Sequence, residues 1–166
     1  MKKLTRITIL AALSLIIFVL ESQIPPLVPV AGVKLGLANV IVLCAFVTLD
    51  AKSALTVLLI KVFLGNLFAG STVSLLYSFL GGALCFIAQW LMLKITTRNQ
   101  LWAVSVTGAI FHNIGQVIAA IILMGTEKIL WYLCVLIPVG IITGAFTGIV
   151  ATYTLKATES IGISKE

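Results

Sequence analysis

Six apolar runs, parted only by short breaks, fill almost the whole chain, and this limits the fold more than any other feature. They lie at roughly 7 to 24, 35 to 49, 52 to 69, 71 to 93, 101 to 124 and 129 to 155. About 20 apolar residues carry a helix across the hydrocarbon of a bilayer, so 166 residues hold about six crossings with no room for a separate soluble domain. The composition agrees: 61% of residues are hydrophobic and 10% charged, where a soluble domain is about half apolar and a quarter charged. The breaks carry helix-ending chemistry: Pro25, Pro26 and Pro29, then Asp50 and Lys52, Gly70 to Thr72, Thr96 to Gln100, and Gly125 to Lys128. A lipid-facing barrel would instead need ten-residue strands of alternating polarity. The expectation is an all-α polytopic membrane protein, a six-transmembrane-helix bundle forming a single domain over 1–166. The first run continues to Leu20 with no small-x-small cleavage site before Glu21, so it reads as helix one and not as a cleaved signal.

The net charge of +6 is a topology signal, not a nucleic-acid surface. With the N-terminus in the cytoplasm, Lys2, Lys3, Arg6, Lys52, Lys94, Arg98, Lys156 and Lys165 fall inside. Only Lys34 and Lys128 fall outside, which is 8 against 2, and Lys61 within a run completes the 11 basic residues. The positive-inside bias therefore places both termini in the cytoplasm and the chain in the cell membrane. Cys44, Cys85 and Cys134 all sit in apolar runs without C-x-x-C spacing, which makes them packing residues. No metal or other cofactor is expected.

Two features point to a site. The second run is short, about 22 Å of helix against about 30 Å of hydrocarbon, and the segment before it, Ser22 to Gly32, is too apolar for a solvated loop and too rich in proline for a helix. It is expected to fold over the bundle as a cap. Helical rise also sets approximate depths above the cytoplasmic edge: about 13 Å for Lys61, 16 for Asn39 and His112, 21 for Glu21 and Asn66, and 22 for Gln116. These six polar groups gather at the middle and outer depth, as a pocket opening outward would require. Ser14, Ser105, Thr107 and the rim residue Gln89 occupy the inner half, where hydroxyls can bond the helix backbone.

An ammonium so far from either surface must face the bundle interior. Lys61 then either pairs with Glu21, the one acid within an apolar run, or meets an anionic or carbonyl group of a ligand. His112 and Gln116, four residues apart, share a helix face. The glycines Gly140, Gly144 and Gly148, with Gly81, Gly82, Gly108 and Gly115, let helices approach closely, either within the chain or against another membrane subunit.

The segments Val33 to Val40, Asp50-Ala51-Lys52 and Lys61 to Gly70, with Glu21 before the prolines and Phe111-His112-Asn113, resemble a known group. They are similar to substrate-binding S components of energy-coupling factor (ECF) transporters. More narrowly, nearly the whole chain resembles the family labelled Gx transporter or heptaprenyl diphosphate synthase component I. The resemblance implies a six-helix S component that captures a vitamin-like or cofactor-precursor solute outside the cell. Its partners would be a transmembrane coupling subunit and two ATPases. The Ala-x-x-x-Ala face by which helix one of many S components docks is not matched here; Thr8 and Ala12 are the small residues on offer.

The synthase label meets a chemical difficulty, since the chain has one aspartate, Asp50, and a single carboxylate cannot hold the metals that neutralise a diphosphate. Neither a P-loop nor a Ser-His-acid set at compatible depths is present. A non-enzyme is expected, and a membrane subunit tethering or supplying a prenyl diphosphate synthase is the alternative to an importer. A channel is disfavoured because no helix carries a polar stripe through the inner half.

Overall fold

The computed structural model describes residues 2–25, 36–69, 72–97 and 100–160. These form six α-helices: α1 (Lys2–Ser22), α2 (Asn39–Thr48), α3 (Ala51–Ala69), α4 (Thr72–Ile95), α5 (Leu101–Met124) and α6 (Leu133–Ser160). A 3-10 helix, Glu127–Tyr132, leads into α6, and no strand occurs among the described residues. Five segments are long and apolar enough to cross a membrane, α6 together with its 3-10 lead counting as one. The fold is a helical membrane bundle.

The sixth helix departs from expectation. α2 begins at Asn39 and not near 35, and its 10 residues rise only about 15 Å, half of the hydrocarbon depth. Two turns of backbone, Asn39 N to Gly36 O at 2.9 Å and Val40 N to Leu37 O at 3.1 Å, start it. Such a helix is stable only when enclosed. α2 is packed by α1, α3, α4 and α6, and Leu43 and Ala45 are fully buried. The proline-rich segment expected as a cap is described only to Pro25; its remainder lies outside the described residues.

Around α2 the other helices make two walls. One is α4, α5 and α6 in sequence; the other is α1 against α3. Glycines fuse the first wall. A Cβ added to Gly148 would lie 2.5 Å from Trp102 Cα, one at Gly144 2.6 Å from Val106 Cα, and one at Gly115 2.5 Å from Leu80 O. The glycine face of α6 is therefore occupied by α5 of the same chain, which removes the reading of that face as a docking surface for another subunit. Asn113 on α5 adds a hydrogen bond to Leu136 O at 2.6 Å, beside Pro138, whose ring takes one donor out of α6.

Large apolar side chains face outward along every long helix, among them Leu13, Phe63, Phe79, Ile118 and Ile142, which suits a lipid surround. Trp90 with Lys94 Nζ 3.6 Å over its ring, Trp102, and Tyr153 near Lys156 collect at one end of the wall, while Trp131 stands exposed at the other. Aromatic rings favour the two interfaces of a bilayer. At the first end Asp50 caps α3 by accepting from Ser53 N at 2.8 Å and pairs with Lys3 Nζ at 2.6 Å. The Lys3 hydrogen bond, with that of Ser53, holds the Asp50 carboxyl down at about 2.

Candidate functional site in the bundle interior

The first turn of a helix leaves backbone N–H groups without partners, and inside a bundle water cannot supply them. The α2 start solves this with a side chain from another helix. Glu21, in the last turn of α1 and buried, accepts from Gly36 N with one oxygen and from Ala38 N at 3.3 Å with the other. Ser14 adds a bond from its hydroxyl to Ala38 O at 3.4 Å. Gly36 is required on two counts: its φ is +79°, and a Cβ there would come within 2.7 Å of His112 Cδ2. The imidazole of His112 lies between Gly36 and Gly81, where a Cβ would approach it to 2.8 Å.

Since both Glu21 oxygens serve α2, the Glu21 to Lys61 ion pair raised by the sequence does not form; the short helix's amides take the carboxylate. Among the described residues no carboxylate lies within salt-bridge distance of Lys61. Lys61, 3% exposed, instead donates to Asn39 Oδ1 at 2.5 Å. An ammonium is thus enclosed in the bundle with an amide oxygen as its hydrogen-bond partner.

Glu21, Lys61, His112 and Gln116 come together around one void, lined also by Phe18, Gly36, Ala38 and Ser78. The space between atoms here is about 260 Å³, part of it open to the surroundings, and only a water-sized guest fits within. Gln116 is almost wholly buried, and its Oε1 has no hydrogen-bond partner among the described residues. Asn39 stands on the far side of Lys61 and lines a neighbouring void. Asn66 belongs to neither: its Nδ2 donates to Val62 O in its own helix at 2.6 Å.

The neighbouring void, also about 260 Å³, lies between α2, α4, α5 and α6 and is lined by Asn39, Cys85, Gln89, Ser105, Thr143 and Thr147. Depth along the helices marks Asn39 as a site residue and puts Gln89 and Ser105 in the inner half, but it does not give direction around a helix and so does not turn Gln89, Ser105, Thr143 and Thr147 toward one space. The signal that marks Gln89 is Gly108, the small residue on which it lies: a Cβ there would meet Gln89 Nε2 at 2.6 Å.

A family model described as heptaprenyl diphosphate synthase component I matches residues 10–154. The chain belongs to that family. No curated protein and no solved structure matches it. The match to the component I family spans every residue that lines either void, from Phe18 and Glu21 to Thr147. Among the described residues of this component I chain, no three His, Cys, Asp or Glu side chains are grouped to hold a metal ion. Asp50 is engaged by Lys3 and Ser53 at the end of α3, away from both voids.

Proposed function

We propose that the chain is the solute-capturing subunit of an importer of the energy-coupling factor type. It would take a small vitamin-like or cofactor-precursor solute from outside, with both termini in the cytoplasm. Lys61 carries this reading. A buried ammonium that is hydrogen-bonded to an amide oxygen, while the Glu21 carboxylate is committed to the α2 amides, is costly in a bilayer interior, and an acidic guest would give it a closer counter-charge. A carboxylate or carbonyl group entering the void meets Lys61, the amide of Gln116 and the imidazole of His112. Glu21 and Asn39 hold the α2 start in place behind them, and Asn66 lies further along α3 as a candidate contact for a larger guest. The tight void implies that the guest enlarges its own site. A transmembrane coupling subunit and two ATPases would supply the energy, since the sequence carries no P-loop.

The family description favours a second reading, a non-catalytic membrane subunit that tethers a prenyl diphosphate synthase or supplies it with lipid substrate. The single aspartate argues against catalysis by this chain in either case. Affinity purification of the full chain from cell membranes in mild detergent separates the two readings. The importer reading expects a membrane coupling protein, ATPase subunits and a bound small molecule detectable by mass spectrometry. Recovery of a soluble prenyl synthase subunit, with no ATPase and no bound solute, would establish the tether instead.

A further inference from the structure

The two voids share Gly36 and are parted by the hydrogen bond from Lys61 to Asn39. As they stand, each has room for no more than a water-sized guest, well short of the ~300 Å³ at which ligand pockets begin, so a solute must widen them as it enters. The Lys61 to Asn39 contact between them involves side chains alone, so it can open without unfolding a helix.

The inner void has a distinct chemistry. Thr147 Oγ1 donates within its own helix to Thr143 O at 2.9 Å or Gly144 O at 3.1 Å, so in the Ser105 to Thr147 bond at 2.7 Å Ser105 is the donor. That leaves the Ser105 oxygen as an acceptor. Thr143 donates to Gly140 O at 3.4 Å, and its oxygen is an acceptor as well. Gln89, 2% exposed, has its Oε1 buried with no partner among the described residues. Three neutral acceptor oxygens thus line one space. A cation would satisfy them, but the Lys61 ammonium stands just across Asn39 and repels one. The Gln89 and Asn39 amides also bring N–H donors, but the buried atom left without a partner is the acceptor Gln89 Oε1. The fitting guest is neutral and brings N–H or O–H donors.

We propose that the Gln89 void is the inner compartment of the binding site, and that it takes a neutral hydrogen-bond-donating group, a hydroxyl or an amide N–H. This would be one end of a solute whose acidic or carbonyl end meets Lys61. The inference rests on the importer reading for the outer compartment, and its test does not need the solute.

Cys85 lines the inner void and serves as the reporter. In the full chain carrying Cys44→Ser and Cys134→Ser, purified in detergent so that membrane permeation plays no part, Cys85 is treated with three methanethiosulfonates of similar size. One bears a hydroxyethyl group, one a sulfonatoethyl group and one a trimethylammonium-ethyl group. Rates are compared as ratios, so the intrinsic reactivity of a buried thiol cancels. The expected result is modification by the hydroxyethyl reagent at least ~10-fold faster than by either charged reagent, because an ion entering an uncharged interior loses its hydration. Gln89→Leu should reduce the hydroxyethyl rate by about 3- to 10-fold, the weight of one hydrogen bond, and Ser105→Ala should do the same to a similar degree if Gln89→Leu does not fold. Asn39→Ala, which removes the contact with Lys61, should speed all three reagents. Equal rates for the three, or no change in Gln89→Leu and Ser105→Ala, would overturn the donor assignment. A Cys85 that stays unmodified in the parent and in a folded Asn39→Ala would overturn the joined compartments. Either failure leaves the copurification result untouched, and failure of copurification leaves these rates untouched.

Discussion

At the scale of single residues the interior is governed by competition for one carboxylate. Glu21 had two claimants, the Lys61 ammonium and the α2 amides, and the amides hold it. Depth along a helix brings Glu21 and Lys61 near each other but says nothing about which group each oxygen faces. For that reason the sequence left both alternatives open. The outcome separates two substitutions. Lys61→Met keeps the stem and removes the charge without stranding Glu21, so the protein should keep its stability to within about 1 kcal/mol or gain some. Under the importer reading it should purify without bound solute; thermal unfolding in detergent and mass spectrometry of the purified protein measure the two effects. Glu21→Gln behaves differently, because an amide can accept one backbone N–H but turns its own donor toward the other. It should cost about 1–3 kcal/mol. Adding Lys61→Met should not restore that loss; full recovery in the double variant would mean that the ion pair matters after all. Gln89 and Ser105 are named in the sequence only as inner-half groups, and Thr147 is not named, for a related reason: a hydroxyl that bonds its own helix, as Thr147 does, can still present oxygen to a void.

Helices show where sequence patterns carry far and where they stop. The ends of α5 coincide with those read from the sequence, Leu101 and Met124, because Gly125 takes a left-handed turn with φ +65° that no apolar pattern continues. α2 starts four residues late because its start is set by Gly36 and by a side chain 15 residues earlier, neither of which periodicity detects. The 3-10 lead to α6 is invisible for another reason: its apolar residues fit an α-helical period as well. Two predictions belong here. Gly148→Leu places a branched side chain where Trp102 Cα already stands, so it should destabilise the α5 and α6 seam by about 1–3 kcal/mol, read as a lower unfolding temperature in detergent. Asp50 supplies a pH effect. Its carboxyl is lowered in the folded chain to about 2 by Lys3 and Ser53, so its contribution to stability is full above the unfolded value, about 3.9, and is lost as pH falls toward 2. Asp50→Asn should be less stable than the parent at neutral pH, the difference should vanish by about pH 2, and salt should shrink it because the Lys3 pair is exposed. A difference that persists undiminished at pH 2 would assign the effect to something other than this carboxyl.

On the whole molecule, the distribution of basic residues makes a claim that packing cannot make, namely which end faces the cytoplasm. In an otherwise cysteine-free chain, single cysteines at Ser22 and Gly125 should react with an impermeant maleimide added to intact cells, and one at Asn99 should react only after lysis. Labelling of Asn99 in intact cells inverts the protein and with it the importer reading. Finally, the two walls around α2 differ in how they yield. At the α4–α5–α6 seams Gly115, Gly144 and Gly148 meet backbone atoms, which cannot turn aside. In α1 and α3 the matching glycine, Gly65, meets the ring of Phe18 at 2.6 Å, which can. Under the importer reading, a guest larger than water would make room by pushing α1 and α3 sideways into the acyl chains. The protein's cross-section would then grow as the site fills, and that growth would do mechanical work against the lateral pressure of the bilayer, so tightly ordered lipid should resist occupancy and loosely packed lipid favour it.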